Sequence, residues 1–135
     1  MDTINMTDND KEIRFALVNT LRVGRKNVTK ISELCIDKKD IFRSFKKLLG
    51  SCSIETIRGT YCNLVMSKSP KDEAEHIHTF MLEGSESEKE YIPGSFILAG
   101  HIRPSGTFDD LDQRIDEEWI ENRLLLSVYR GKKRA

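Results

Sequence analysis

The sequence predicts an α+β fold: an N-terminal three-helix unit with a β-hairpin, packed with a small antiparallel sheet and a C-terminal helix. Three observations predict it. Apolar residues between Ile13 and Leu49 recur at helical spacing and are punctuated by Gly24 and Gly50. From Ile54 to Ile102 the apolar runs become short, with β-branched and aromatic residues bounded by polar turns. Leu111, Ile115 and Trp119 then return to a spacing of four. At 135 residues the chain is expected to form a single compact domain, 1–135, with a core burying roughly two-thirds of the unfolded surface.

The elements follow in order. Thr7-Asp8-Asn9-Asp10 supplies oxygen-bearing side chains for a helix start, and Ile13, Ala16, Leu17 and Leu21 place the first helix at about 9–22, with Gly24 as its stop. Val28 to Cys35 reads as a second helix, with Thr29 as cap and Ile31, Leu34 and Cys35 inward. Asp37 with Asp40 three residues on makes an acidic capping box for a third helix, about 38–49. Ile41, Phe45, Leu48 and Leu49 form its apolar stripe, and Gly50 ends it. Residues 54–57 and 61–66 read as two strands turning at Gly59.

The segment 67–75 is a polar linker, dividing the domain into a basic sub-region (9–66) and an acidic one (76–129). Strands are expected at 76–82 and 95–102, separated by an acidic loop through Glu83, Glu86, Glu88 and Glu90. Thr107 and Asp110 form a further capping box for a helix of about 108–122. Residues 123–129 fit either a continuation of that helix or a last strand.

Composition excludes several classes. Hydrophobic residues are 38% and charged residues 33%, too apolar for wholesale disorder. No apolar run approaches the roughly 20 residues of a membrane helix, and the polar start Met1-Asp2-Thr3 lacks the pattern of a signal peptide, so a cytoplasmic, non-membrane protein is expected. Three cysteines, Cys35, Cys52 and Cys62, without any CxxC pair argue against a disulfide framework or a cysteine-based zinc site, and no cofactor is expected. Phosphate-loop, dinucleotide and serine-hydrolase motifs are absent, so a non-enzymatic role leads.

The formal net charge of zero divides unevenly. Residues 1–70 hold 13 basic and 8 acidic residues, a net of +5, and residues 71–135 hold 9 and 14, a net of −5. Arg22 to Lys47 alone carries nine basic residues against three acidic. Such asymmetry speaks to partners rather than to fold.

Three helices followed by a two-stranded hairpin over residues 9–66 resemble a winged helix-turn-helix domain. The resemblance implies that the third helix presents its Lys38, Lys39, Arg43, Lys46 and Lys47 face to a major groove about 12 Å wide, with Arg58 at the wing tip against the backbone. The chain departs from that pattern in the short Cys35-Ile36-Asp37 connection. The leading expectation is therefore a small regulatory or accessory protein that binds DNA or RNA through these six residues.

Two alternatives use other residues. Asp116, Glu117, Glu118 and Glu121 would make an acidic helix that docks a basic protein partner, or the chain pairs with itself, as in an adaptor or inhibitor. His76 and His78 share one face of a strand, and His101 on the next strand would complete a three-histidine metal site of a hydrolase.

Overall fold

The computed structural model describes residues 12–68, 76–83 and 89–128. The chain is mostly β, which overturns the expected three-helix unit with a C-terminal helix. Strands β1 (Glu12–Val23) and β2 (Lys26–Asp37) form a long hairpin where the first two helices were expected. A 3₁₀ turn (Lys38–Asp40) leads into helix α1 (Ile41–Leu49). Strands β3 (Ile54–Ile57), β4 (Asn63–Ser67), β5 (His76–Phe80), β6 (Glu90–Pro93) and β7 (Phe96–Ala99) follow, then helix α2 (Glu117–Glu121) and β8 (Leu124–Val128). One antiparallel sheet has the order β2-β1-β7-β4-β3 and a second the order β6-β5-β8. The predicted helix start at residues 7–10 lies outside the described residues, as does the centre of the acidic loop.

The physical reason for the first correction is visible in the hairpin. Gly24 takes φ 65° while Arg25 stays at negative φ, the pattern of a two-residue type II′ turn. Gly24 therefore reverses a strand instead of ending a helix. From that turn all twelve residues of β1 pair without interruption to β2, from Val23↔Lys26 to Glu12↔Asp37. Both faces of β1 are buried at its centre, so the strand lacks clean alternation. Ile13, Phe15 and Leu17 lie toward one side, and Ala16 and Val18 toward the other. Read together in sequence, the two faces imitate a 3.6-residue period.

The third predicted helix is present. Ile41 and Phe45 are buried, and Phe45 meets Phe15 edge-to-face with centroids 4.9 Å apart. Phe108 closes this aromatic cluster at 5.8 Å from both rings. Gly50 caps the C-terminus in the left-handed conformation, and the Ser51 N–H donates to the Lys46 carbonyl at 3.0 Å.

The five-stranded sheet divides the core. Toward α1 lie Ile13, Phe15, Ile36, Val65, Ile97, Ala99 and Phe108. Toward the small sheet and α2 lie Val18, Leu64, Phe80, Ile92, Phe96, Leu98, Leu111 and Ile120. Strand β7, from the acidic half of the sequence, sits between β1 and β4 of the basic half, so the sheet is woven from both.

The predicted helix over 108–122 shrinks to five residues. The Leu111 N–H donates to the Arg14 carbonyl at 3.0 Å, and Asp110 Oδ1 accepts from the Arg14 N–H at 2.8 Å. These bonds hold 110–111 alongside β1. Asp112 then accepts from the Arg114 N–H, which turns the chain locally. Helix begins only after Asp116, whose side chain caps the Trp119 N–H at 2.9 Å. Residues 124–128, ambiguous in sequence, form β8 against β5.

Candidate nucleic-acid interface

Five of the six basic candidates lie on one side of the five-stranded sheet. Helix α1 packs its Ile41/Phe45 face on the sheet, so the opposite face points to solvent, and Lys38, Lys39, Arg43, Lys46 and Lys47 are all exposed. Arg43 sits 3.6 Å from Asp40 in an exposed pair, which screening makes weak. Lys38, Lys39, Lys46 and Lys47 enter no ion pair among the described residues. Lys46 and Lys47 occupy the last turn, where the helix dipole favours cations.

The hairpin extends this surface. Strand β1 pairs with β7 only at Ala16–Val18, and beyond Thr20 the hairpin projects as an arm. Leu21, Val23 and Val28 are exposed there, Val23 to 61%. Alternation places Lys26 and Lys30 on the same side of the sheet as α1, opposite Val23 and Asn19. Arg25 stands in the turn, exposed. These three residues belong to the basic stretch of the sequence, but a helix in place of the hairpin leaves no arm to carry them, so no site is expected there. The legible signal was the Gly24-Arg25 turn flanked by Leu21, Val23 and Val28.

Arg58 is placed elsewhere. It follows β3 at the end of the strand away from Ile54, where the chain leaves α1. Its loop is tied to the acidic half: the Thr60 N–H donates to Glu83 at 2.7 Å, and Gly59 packs on Leu82.

The acidic residues lie on the other side of the sheet. Asp116 is committed to capping α2, while Glu117, Glu118 and Glu121 are exposed. Glu117 and Glu121 line a groove with Thr29, Ile31 and Leu124. Four ion pairs form among the described residues, and each joins partners within one half: Arg14–Glu33, Arg43–Asp40, Arg103–Asp109 and Arg114–Asp112. The two charged surfaces therefore do not neutralise one another through these pairs.

The histidines take separate partners. His78 is fully buried, with Nδ1 donating to the Gly94 carbonyl at 2.8 Å and Nε2 facing the Thr29 hydroxyl at 3.4 Å. His101 is exposed and donates from Nε2 to the Thr60 carbonyl at 3.0 Å. The His76 side chain lies outside the described residues. Among the described residues no three His, Cys, Asp or Glu side chains converge as a metal site.

One further surface was not anticipated. Thr60, Tyr61, His101, Asp112, Arg114, Ile115 and Trp119 line an open groove of about 370 Å³. Tyr61 and Trp119 meet edge-on at 6.1 Å, and the Arg123 guanidinium lies 3.8 Å over the Trp119 ring. Arg114 holds the Asp112 carboxyl down at about 2. These residues come from three separate loops and from α2, so no spacing in the sequence announces them.

Comparisons with protein-family models, curated proteins and solved structures find no match to this chain. Among the described residues no helix is long and apolar enough to cross a membrane.

Proposed function

We propose that the protein binds nucleic acid through a basic face made by the outer side of α1 and the projecting hairpin. The observation that supports this reading is the exposure of Lys38, Lys39, Arg43, Lys46 and Lys47 and, farther along the same side of the sheet, of Lys26 and Lys30, on the side away from the acidic α2. Lysines and arginines displace condensed counterions from phosphates, which gives sequence-independent affinity. A two-stranded ribbon is also narrow enough to enter a groove of the duplex. In this reading α1 holds the phosphate backbone and the arm, with Arg25 at its turn, supplies the reach. No winged-helix geometry is involved, and Arg58 stands apart from the contact face.

Fluorescence anisotropy with a labelled duplex tests it. Binding at micromolar protein in low salt is expected, with Lys46→Glu/Lys47→Glu lowering affinity at least tenfold and Glu117→Gln/Glu118→Gln leaving it intact. No anisotropy change for the unaltered protein at low salt ends the reading.

A second reading has one observation in its favour. Glu117 and Glu121, with the edge of β2, frame the Thr29/Ile31/Leu124 groove, and that acidic cleft suits a basic peptide segment of a protein partner. A lysine-rich peptide titrated onto the protein would then bind, and Glu117→Gln/Glu121→Gln would abolish binding. Equal affinity for the double variant removes this alternative.

A further inference from the structure

Among the described residues strand β2 is an open edge. It is twelve residues long, about 40 Å at 3.4 Å per residue. The other sheet edges, β3, β6 and β8, run four or five residues. Natural sheets blunt long edges with proline, bulges or a cover, because unpaired N–H and C=O groups recruit another strand. β2 contains no proline, and its pairing to β1 shows no bulge. Among the described residues no main-chain hydrogen bond reaches its outer side. Grooves lined by Thr29, Ile31, Ser32 and Glu33 run beside it.

The turn decides which groups face outward. In a two-residue hairpin the closing pair, Val23↔Lys26, is hydrogen-bonded, so even-numbered residues of β2 bond inward to β1. The bonds at Arg14 agree, since its N–H and C=O turn away from β2. The main-chain groups of Asn27, Thr29, Ile31, Glu33 and Cys35 therefore point to the open side.

We infer that β2 pairs antiparallel with β2 of a second copy of this chain, about a two-fold axis at Ile31, joining two five-stranded sheets into one. The sequence of the strand is self-complementary in this register. Ile31 meets its own copy, and Val28 meets Leu34 twice. Thr29 faces Glu33 and Lys30 faces Ser32, while Arg25, in the turn just before the strand, comes level with Asp37 at both ends of the paired segment. No like charges oppose each other. Neighbouring registers are worse. Slipping one way sets Lys30 against Lys30. Slipping the other sets Ile31 against Glu33, and one step further sets Glu33 against Glu33. Like charges directly opposite are unfavourable in a sheet. The five narrow pairs between residues 27 and 35 exchange about ten main-chain hydrogen bonds. An axis perpendicular to the sheet keeps both copies of α1 on the same side, so the basic face doubles in width. The pairing itself stands whether or not that face binds nucleic acid.

The test uses the full chain with Cys35→Ser and Cys52→Ser, which removes the exposed native thiols. In the proposed register residue 30 of one copy and residue 32 of the other form a wide pair, whose close side chains suit a disulfide. Lys30→Cys/Ser32→Cys is expected to give a covalent dimer under mild oxidation, while either single cysteine gives none. Light scattering on the unaltered protein is expected to report twice the chain mass, falling toward the monomer on dilution. Should the cysteine variant misfold, charge reversal replaces it. Arg25→Asp and Asp37→Arg each shift the equilibrium at least tenfold toward monomer, and the double variant restores the dimer. A single-chain mass at all concentrations, equal cross-linking by the single cysteines, or no rescue by the double charge swap overturns the inference. Loss of the dimer on adding a lysine-rich peptide identifies the edge as a peptide site instead and counts against self-pairing as its use.

Discussion

Replacing Arg14 by methionine keeps the aliphatic stem and deletes the guanidinium, which is the main tie between β1 and the 110–115 segment. The guanidinium makes four hydrogen bonds. Nη1 donates to the carbonyls of Leu111 at 2.8 Å and Asp112 at 3.0 Å, Nη2 to Ile115 at 3.3 Å, and Nε to Glu33 at 3.1 Å. The side chain is only 18% exposed. The Leu111 and Ile115 acceptors are partly buried, and stranding each costs about 1–2 kcal/mol. The Asp112 and Glu33 bonds are exposed and contribute about 0.5 kcal/mol apiece. The total loss is about 3–5 kcal/mol, a large share of the roughly 5–15 kcal/mol available to a domain. Melting would fall by roughly 10–20 °C for a chain of this size. Urea unfolding followed by Trp119 fluorescence measures it directly, because Trp119 sits just beyond the clamped segment. Hydrogen exchange at 110–115 should accelerate in the same variant. A loss below about 1 kcal/mol, or one matched by Glu33→Gln, would refute the clamp and leave only the exposed ion pair.

The remaining expectations concern other parts of the molecule. If α1 lies on phosphates, Lys46→Gln/Lys47→Gln should reduce the slope of log affinity against log salt by about 2, read by anisotropy across a salt series; an unchanged slope places the two lysines off the interface. Burial, reinforced by Glu83 and opposed by Arg123, pushes the Cys62 thiol from 9.0 up to about 12. A raised thiol favours the neutral folded form, so its contribution is complete below pH 9 and drains away as pH rises from 9 toward 12. The alkaline loss of stability should be shallower in Cys62→Ala, and native protein should offer two thiols, Cys35 and Cys52, to a thiol reagent at pH 8 while Cys62 reacts only on unfolding. Gly100→Ala would drive a methyl group into the carbonyls of Asp109 and Asp110, the latter at 2.6 Å, and a cost of about 2–3 kcal/mol is expected in denaturant unfolding. A neutral result there would mean that the 109–110 backbone shifts freely.

The sequence by itself determined the elements whose signals are local. Helix α1 has an apolar stripe, an acidic start and a glycine stop that all point the same way, and it forms where expected. The strands at 54–57 and 76–80 were equally legible from short apolar runs between turns. The outward lysines of α1 were readable for the same reason, since helical periodicity alone separates them from Ile41 and Phe45. The uneven charge was also explicit in the residues, and the structure gave it geometry: the lysines of α1 and the carboxylates of α2 lie on opposite sides of one sheet.

Tertiary structure decided the rest. The hairpin at 12–37 is a strand pair because the five-stranded sheet buries β1 on both faces, which erases the two-residue alternation that would mark it. The 108–116 segment carries good helix-start residues, yet its backbone bonds to β1 and to the Arg14 guanidinium, ninety-six or more residues away in sequence. The aromatic groove and the separation of Arg58 from α1 are likewise products of loops meeting at a sheet end. Local propensity chooses between helix and strand only where one face is buried. Where both are buried, or where a distant side chain supplies the hydrogen bonds, the partner decides.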